Sequence, residues 1–198
     1  MTAPITVITV SIPSRRELLQ QNIASVYEQT VSVERQLICT HASTTDRDYR
    51  QIQYSTAKND LLAQVTTPWV AVLNDDDYWQ PHHVETILSH LDNADIVYTW
   101  EANNHKPRED CNSYSQQQLI EIFDRTNFLD ANCAIRTSKL REVGGFPVDL
   151  VNGRYGNGPA RWEDWQLWRL MARADARFHC VPEPTWCYGL GTPEQICG

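Results

Sequence analysis

The run Thr67-Pro68-Trp69-Val70-Ala71-Val72-Leu73-Asn74-Asp75-Asp76-Asp77-Tyr78-Trp79 constrains the fold of this chain more than any other stretch. A short apolar segment, bounded by Pro68 and by a polar cluster, predicts a buried strand. It ends in three consecutive carboxylates. In an extended chain Asp75 and Asp77 would project to one face and Asp76 to the other. Two carboxylates at the carboxyl end of a buried strand repel each other unless a cation lies between them, and open α/β sheets bind ligands at that edge. Oxygen-only ligands favour a hard divalent ion, Mg²⁺ or Mn²⁺, over zinc. A solvated turn whose Asp residues cap the following helix would give the same triplet.

The flanking sequence alternates strands with helices, which argues an α/β sheet domain. Ile5 to Val10 is nearly all β-branched and predicts a strand buried on both faces. Ser14 followed by Glu17 reads as a capping box opening a helix at about Arg15, with Leu19, Ile23 and Val26 as its apolar stripe. A strand feeding a helix start, with Arg15 in the turn, suits an anion or nucleotide contact. A well-capped helix with exposed arginines reads equally from these residues. Further strands are expected at Gln36–Thr40, Ala94–Trp100, Ala131–Ile135, Arg177–Val181 and Thr185–Tyr188. Helices are expected around Lys58–Ala63, after Pro81, from Ser115 (a second capping box) to Phe123, from Lys139 to Val143, and from Arg161 to Met171. Trp162, Trp165 and Trp168 fall at helical spacing, the pattern of a packed aromatic stripe. Glu163 and Asp164 open that helix, where acids also favour the macrodipole. Residues 152–158 are rich in turn formers.

With 198 residues, one domain spanning 1–198 is expected. Its two halves would be 1–100 and 101–198. The net charge of −8 argues against a nucleic-acid partner. No apolar segment is long enough to span a bilayer, and the first residues lack a signal-peptide pattern. Six scattered cysteines without a Cys-x-x-Cys pair read as reduced thiols in a cytoplasmic protein.

Four landmarks, in order, resemble the family 2 inverting glycosyltransferases of the GT-A fold. Ser11-Ile12-Pro13-Ser14-Arg15, with the helix ending at Thr30, looks like the opening nucleotide-binding segment. Ala57-Lys58-Asn59 is similar to the Ala-Arg-Asn that precedes the acidic strand. Leu73 to Trp79 matches the Asp-x-Asp region. Val143-Gly144-Gly145-Phe146-Pro147, followed by Trp162-Glu163-Asp164-Trp165, resembles the acceptor-side segment and its Glu-Asp motif. The chain departs from the pattern at Thr40-His41-Ala42, where relatives commonly carry an acidic pair, and at Asn74 and Ser11.

The resemblance implies a single-domain α/β fold with a mixed, mostly parallel sheet flanked by helices. It implies an enzyme that moves a sugar from a nucleoside-diphosphate donor, a UDP-sugar first among those expected, to an acceptor hydroxyl with inversion. Asp164 would be the base, and Glu163 would orient the acceptor or the loop. Asp77 and Asp75 would hold a divalent cation, Mn²⁺ or Mg²⁺. Ser11, Pro13, Arg15, Lys58, Asp75 and Asp76 would contact the donor, and His41 its base. Residues 152–158 would order over the bound donor. A nucleotidyl or phosphoryl transferase, or an inactive nucleotide-sugar-binding protein on the same scaffold, would use the same acidic cluster.

Overall fold

The computed structural model describes residues 2–41, 47–103, 109–148 and 162–189, with the backbone alone for 47–51. Its strands are β1 (Ala3–Ser11), β2 (Val33–Thr40), β3 (Trp69–Val72), β4 (Tyr78–Trp79), β5 (Ile96–Glu101), β6 (Cys133–Arg136) and β7 (Phe178–Cys187). They form one sheet in the order β2-β1-β3-β6-β5-β7-β4. The helices are α1 (Arg16–Tyr27), α2 (Arg47–Leu62), α3 (His83–Leu88), α4 (Gln116–Phe123), α5 (Thr137–Glu142) and α6 (Glu163–Arg173).

Strand direction decides where the functional edge lies. β2 and β3 both run parallel to β1, while β6 runs antiparallel to β3. β5 reverses again against β6, and β7 follows β5. Five strands therefore share one direction, and only β6 and the dipeptide β4 oppose it. The carboxyl ends of β1, β2, β3, β5 and β7 and the amino end of β6 meet along one edge. That edge gathers Ser11, His41, Asn74–Asp77, Asn132 and Tyr188 from distant parts of the chain.

Alternation along the strands builds a core on each face. Ala3, Ile5 and Val7 of β1 pack with Val26 of α1 and with Val84 and Ile87 of α3. Ile8 and Val10 face the other way, onto Leu61 and Leu62 of α2, Phe123 of α4 and Trp168 of α6. Both faces are covered, so β1 reads as a continuous apolar run, as a doubly flanked sheet requires.

The local signals were of unequal quality. Ser115 forms the expected capping box with Gln118 at the start of α4. Gly144 and Gly145 close α5 with φ of 92° and 83°, a backbone shape that glycine adopts freely. The box expected at Ser14 does not form: Pro13–Arg15 makes a 3-10 turn, and α1 starts without a side-chain cap. The stripe expected on α1 is turned by one residue. Asn22 and Val26 are buried while Ile23 is 38% exposed. The polar face of α1 points inward because it binds the acidic turn, as described below. The short helix expected around Lys58–Ala63 is the end of a longer one, α2. The two carboxyl-terminal strands are one strand, β7. Cys39, Cys111, Cys133 and Cys180 are free, but Cys187 is disulfide-bonded, correcting the expectation of reduced thiols throughout. Sequence spacing does not report the Cα proximity that a disulfide needs. No helix among the described residues is long and apolar enough to cross a membrane.

Candidate active site

β3 ends at Val72, and the acidic triplet closes a turn in which Asp77 N–H donates to the Asn74 carbonyl at 3.1 Å. The triplet is thus a turn rather than an extended segment. The alternation survives all the same, with Asp75 and Asp77 buried and Asp76 partly open.

Two buried or half-buried polar side chains of α1, and Gln29 just after it, clamp the turn and the strand that follows. Asn22 donates to the carbonyls of Asn74 (2.7 Å) and Asp77 (3.0 Å). Ser25 accepts from Trp79 N–H at 3.2 Å. Gln29 donates to the Gln80 carbonyl at 2.8 Å and accepts from Val84 N–H at 2.9 Å. Each bond satisfies a backbone group that would otherwise be stranded near the core.

The first and third landmarks of the sequence meet here. Ser11 Oγ donates to Asp75 Oδ2 at 2.7 Å, and Arg15 Nη1 reaches Asp75 Oδ1 and Asp76 Oδ2, each at 2.9 Å. Pro13 opens the 3-10 turn that carries Arg15. Asp77 differs from both neighbours. Asn132 Nδ2 (2.7 Å) and Asn74 Nδ2 (3.0 Å) donate to its Oδ2, and Gly189 N–H donates to Oδ1 at 3.1 Å. Burial lifts its acid from 3.8 to about 7, opposed by the Asn132 bond and reinforced by Asp76. Gly189 has no room for a side chain, since a Cβ would lie 1.3 Å from the Asp76 carbonyl oxygen.

The second and fourth landmarks also meet. Lys58 Nζ pairs with Glu163 Oε1 at 2.7 Å in a buried bridge between α2 and α6. Asn59 clasps the backbone of Phe146 with two bonds of 2.8 Å. The neighbouring Gly145 lets that loop approach, because a Cβ there would stand 2.4 Å from Asn59 Oδ1. Lys58 is 3% exposed and committed to Glu163, so it does not face the cleft as the expected phosphate contact would. His41 packs edge-on against Tyr54, with ring centroids 5.0 Å apart, and Tyr54 rather than His41 lines the cleft.

Asp164 follows Glu163 at the start of α6. Asn127 Nδ2 donates to its Oδ2 at 3.2 Å, and Trp165 N–H donates to Oδ1 at 2.7 Å. Asp164 lines the cleft. Burial, and then the charge of Glu163, push its acid from 3.8 up to about 7. The tryptophan stripe divides. Trp165 and Trp168 are buried and donate to the Phe123 and Leu129 carbonyls at 2.6 and 2.9 Å. Trp162 is 42% exposed and lines the cleft.

One cleft of about 740 Å³ joins these groups. Arg15, Asp75 and Asp76 line one part of it, and Asn127, Glu163 and Asp164 another. Asp77 lies behind the wall. Among the described residues no three His, Cys, Asp or Glu side chains cluster to cage a metal ion. The two carboxylates that reach the cleft at the acidic turn offer only oxygen, which fits a hard cation completing its shell with phosphate oxygens and water. Asn22, Asn127, Asn132 and Gly189 were not foreseen. The spacing of Asn22, Ser25 and Gln29, along α1 and just past its end, was the one available signal, a polar stripe beside an expected apolar one. The stretch 152–158 expected to cover the donor lies outside the described residues.

Solved glycosyltransferases share this fold. S. aureus TarS 1-349 superposes with a TM-score of 0.63 at 13% identity, over 91% of this chain and 59% of that one. TarS 1-349 is also known in complex with UDP and with UDP-GlcNAc. The mannosyltransferase PcManGT from Pyrobaculum calidifontis, in complex with GDP-Man and Mn²⁺, superposes with a TM-score of 0.63 at 13% identity, over 98% of this chain and 59% of that one. The chain thus spans about three fifths of the length of these structures. No curated protein matches the sequence. The model of glycosyl transferase family 2 matches residues 41–141, half of the chain and the stretch that includes the acidic turn, and the chain belongs to that family.

Proposed function

We propose that this chain transfers a glycosyl group from a nucleoside-diphosphate sugar to an acceptor hydroxyl by a single, inverting displacement with Asp164 as base. The observation that carries this reading is that Asp75 and Asp76 line the same cleft as Asp164. The neighbours in complex with UDP-GlcNAc and with GDP-Man and Mn²⁺ support a nucleotide-sugar donor and a divalent cation.

Asp76, with Asp75 beside it, would hold the cation. The sequence favoured Asp77, but its oxygens are engaged by three N–H donors behind the wall. When bound, a divalent ion neutralises the departing diphosphate. Ser11 and Arg15 fix Asp75, so the acidic end of the cleft is preorganised. Asn127 and the Trp165 N–H hold the Asp164 carboxylate in place. Asp164 takes the proton of the acceptor hydroxyl. That oxygen then bonds to the anomeric carbon as the bond to the diphosphate breaks on the opposite face. A base titrating near 7 matches proton transfer at neutral pH. Glu163 acts through position: its bridge to Lys58 docks the start of α6 so that Asp164 faces the cleft.

The test is Asp164→Asn with a small donor panel, beginning with UDP-GlcNAc and GDP-Man in Mn²⁺. Transfer is expected to fall by about 10²–10⁴-fold, the usual worth of a positioned base. Nucleotide affinity, measured by calorimetry, is expected to stay within about twofold by the rule that a transition-state contact leaves ground-state binding intact. Wild-type turnover in the variant would remove Asp164 from the mechanism. Cleavage within the diphosphate would instead indicate phosphoryl or nucleotidyl transfer. Binding of every donor without turnover would indicate a binding protein.

A further inference from the structure

Among the described residues, two side chains in the wall of the cleft carry a permanent positive charge, Arg15 and Arg125. Arg15 is committed to Asp75 and Asp76. Arg125 follows α4, is exposed, and makes no ion pair with any described residue. The other charged groups of the wall are Asp75, Asp76, Asp130, Glu163 and Asp164. Among the described residues, Arg125 is therefore the exposed guanidinium of the wall that no carboxylate occupies, and an anion entering away from Arg15 finds its attraction there.

The position of Arg125 selects which substrate it serves. Arg125, Thr126 and Asn127 line the cleft in succession, and Asn127 holds the Oδ2 of Asp164. Arg125 is thus on the side of the base, where whatever carries the attacking hydroxyl must lie. The donor diphosphate belongs at the acidic turn. Trp162, two residues before Asp164, adds an exposed indole to the same side. A flat, amphipathic ring there suits the apolar face of a sugar, and a guanidinium suits a carboxylate or phosphate in bidentate contact.

We propose that the acceptor is a sugar bearing an acidic substituent, with its ring against Trp162 and its carboxylate or phosphate on Arg125. Arg125 is then a specificity-determining residue. This inference rests on the transferase reading above.

The experiment compares methyl β-D-glucuronide, glucose 6-phosphate and methyl β-D-glucoside, with their galacto counterparts, as acceptors for wild type, Arg125→Gln and Arg125→Lys. The donor is the nucleotide sugar turned over fastest in the panel. Binding of the same sugars without donor is followed by saturation-transfer NMR. Charged acceptors are expected to exceed neutral ones by about tenfold in kcat/KM, the worth of one charge-assisted contact. Arg125→Gln should bring that ratio to about one through KM, and Arg125→Lys should keep part of it. The better of glucuronide and phosphate identifies the anion. Equal use of neutral and charged acceptors, or a ratio that survives Arg125→Gln, would overturn the inference while leaving the transferase reading in place. Arg125-dependent binding of the charged sugars without turnover of any donor would do the reverse.

Discussion

Asp164 and Asp77 are both acids whose burial raises them to about 7, yet the two residues serve differently. Asp164 opens on the cleft, and Asp77 is held behind it by Asn74, Asn132 and Gly189. If Asp164 is the base, kcat/KM should rise with pH to a plateau, with its midpoint near 7, because only the ionised carboxylate accepts a proton. A flat profile between pH 5 and 8 would count against it. The same group has a stability signature. Its folded value lies above its ordinary one, so its contribution is full below about pH 4 and is lost as pH rises through 7. Thermal unfolding of Asp164→Asn should therefore shift in the variant's favour, relative to wild type, as pH rises from 5 to 8. Gly189 gives a second prediction. Gly189→Ala would drive a methyl into the Asp76 carbonyl, so the acidic turn must move and Mn²⁺-dependent nucleotide binding should fall by at least about tenfold, the scale of a lost contact. Neither Gly189 nor Asn132 carried a sequence signal, because each acts only through a contact made across the sheet edge.

At the scale of elements, α1 shows why periodicity misleads beside a site. Leu19, Ile23 and Val26 suggested the inward face, but the helix rotates to bury Asn22 because the carbonyls of Asn74 and Asp77 need its donors. Asn22→Ala is expected to destabilise the fold by about 1–3 kcal/mol, the cost of leaving buried polar groups unpaired. Chemical denaturation would check it. The bridge between α2 and α6 is a stronger case. Lys58 and Glu163 are both buried, so Lys58→Met should cost about 3–5 kcal/mol by stranding Glu163, whereas Lys58→Met with Glu163→Leu should recover most of that loss. If Lys58 contacted phosphate instead, the double variant would lose donor affinity. If it only docks α6, kcat should respond more than donor affinity does.

For the molecule as a whole, the architecture was legible because strands buried on both faces and capped helices are written locally. Ser115, Gly144 and the run ending at Asp75 each announce their element. The pairing of the four landmarks was not legible locally. Ser11 reaches Asp75 across 64 residues, and Lys58 reaches Glu163 across 105, so only strand order and direction bring them together. The resemblance supplied the order of the landmarks, and the topology explains their meeting: parallel strands place their carboxyl ends on one edge, and antiparallel β6 delivers Asn132 to the same place. The central claim is that a cation at the acidic turn and a base on α6 address one sugar across one cleft. The most direct test is the anomalous signal of manganese in crystals grown with Mn²⁺ and the nucleoside diphosphate that binds tightest. The account predicts a single manganese at the Asp76 carboxylate, within the cleft that Asp164 also lines. Manganese and nucleotide bound at another face of the sheet, with the cleft empty, would contradict it.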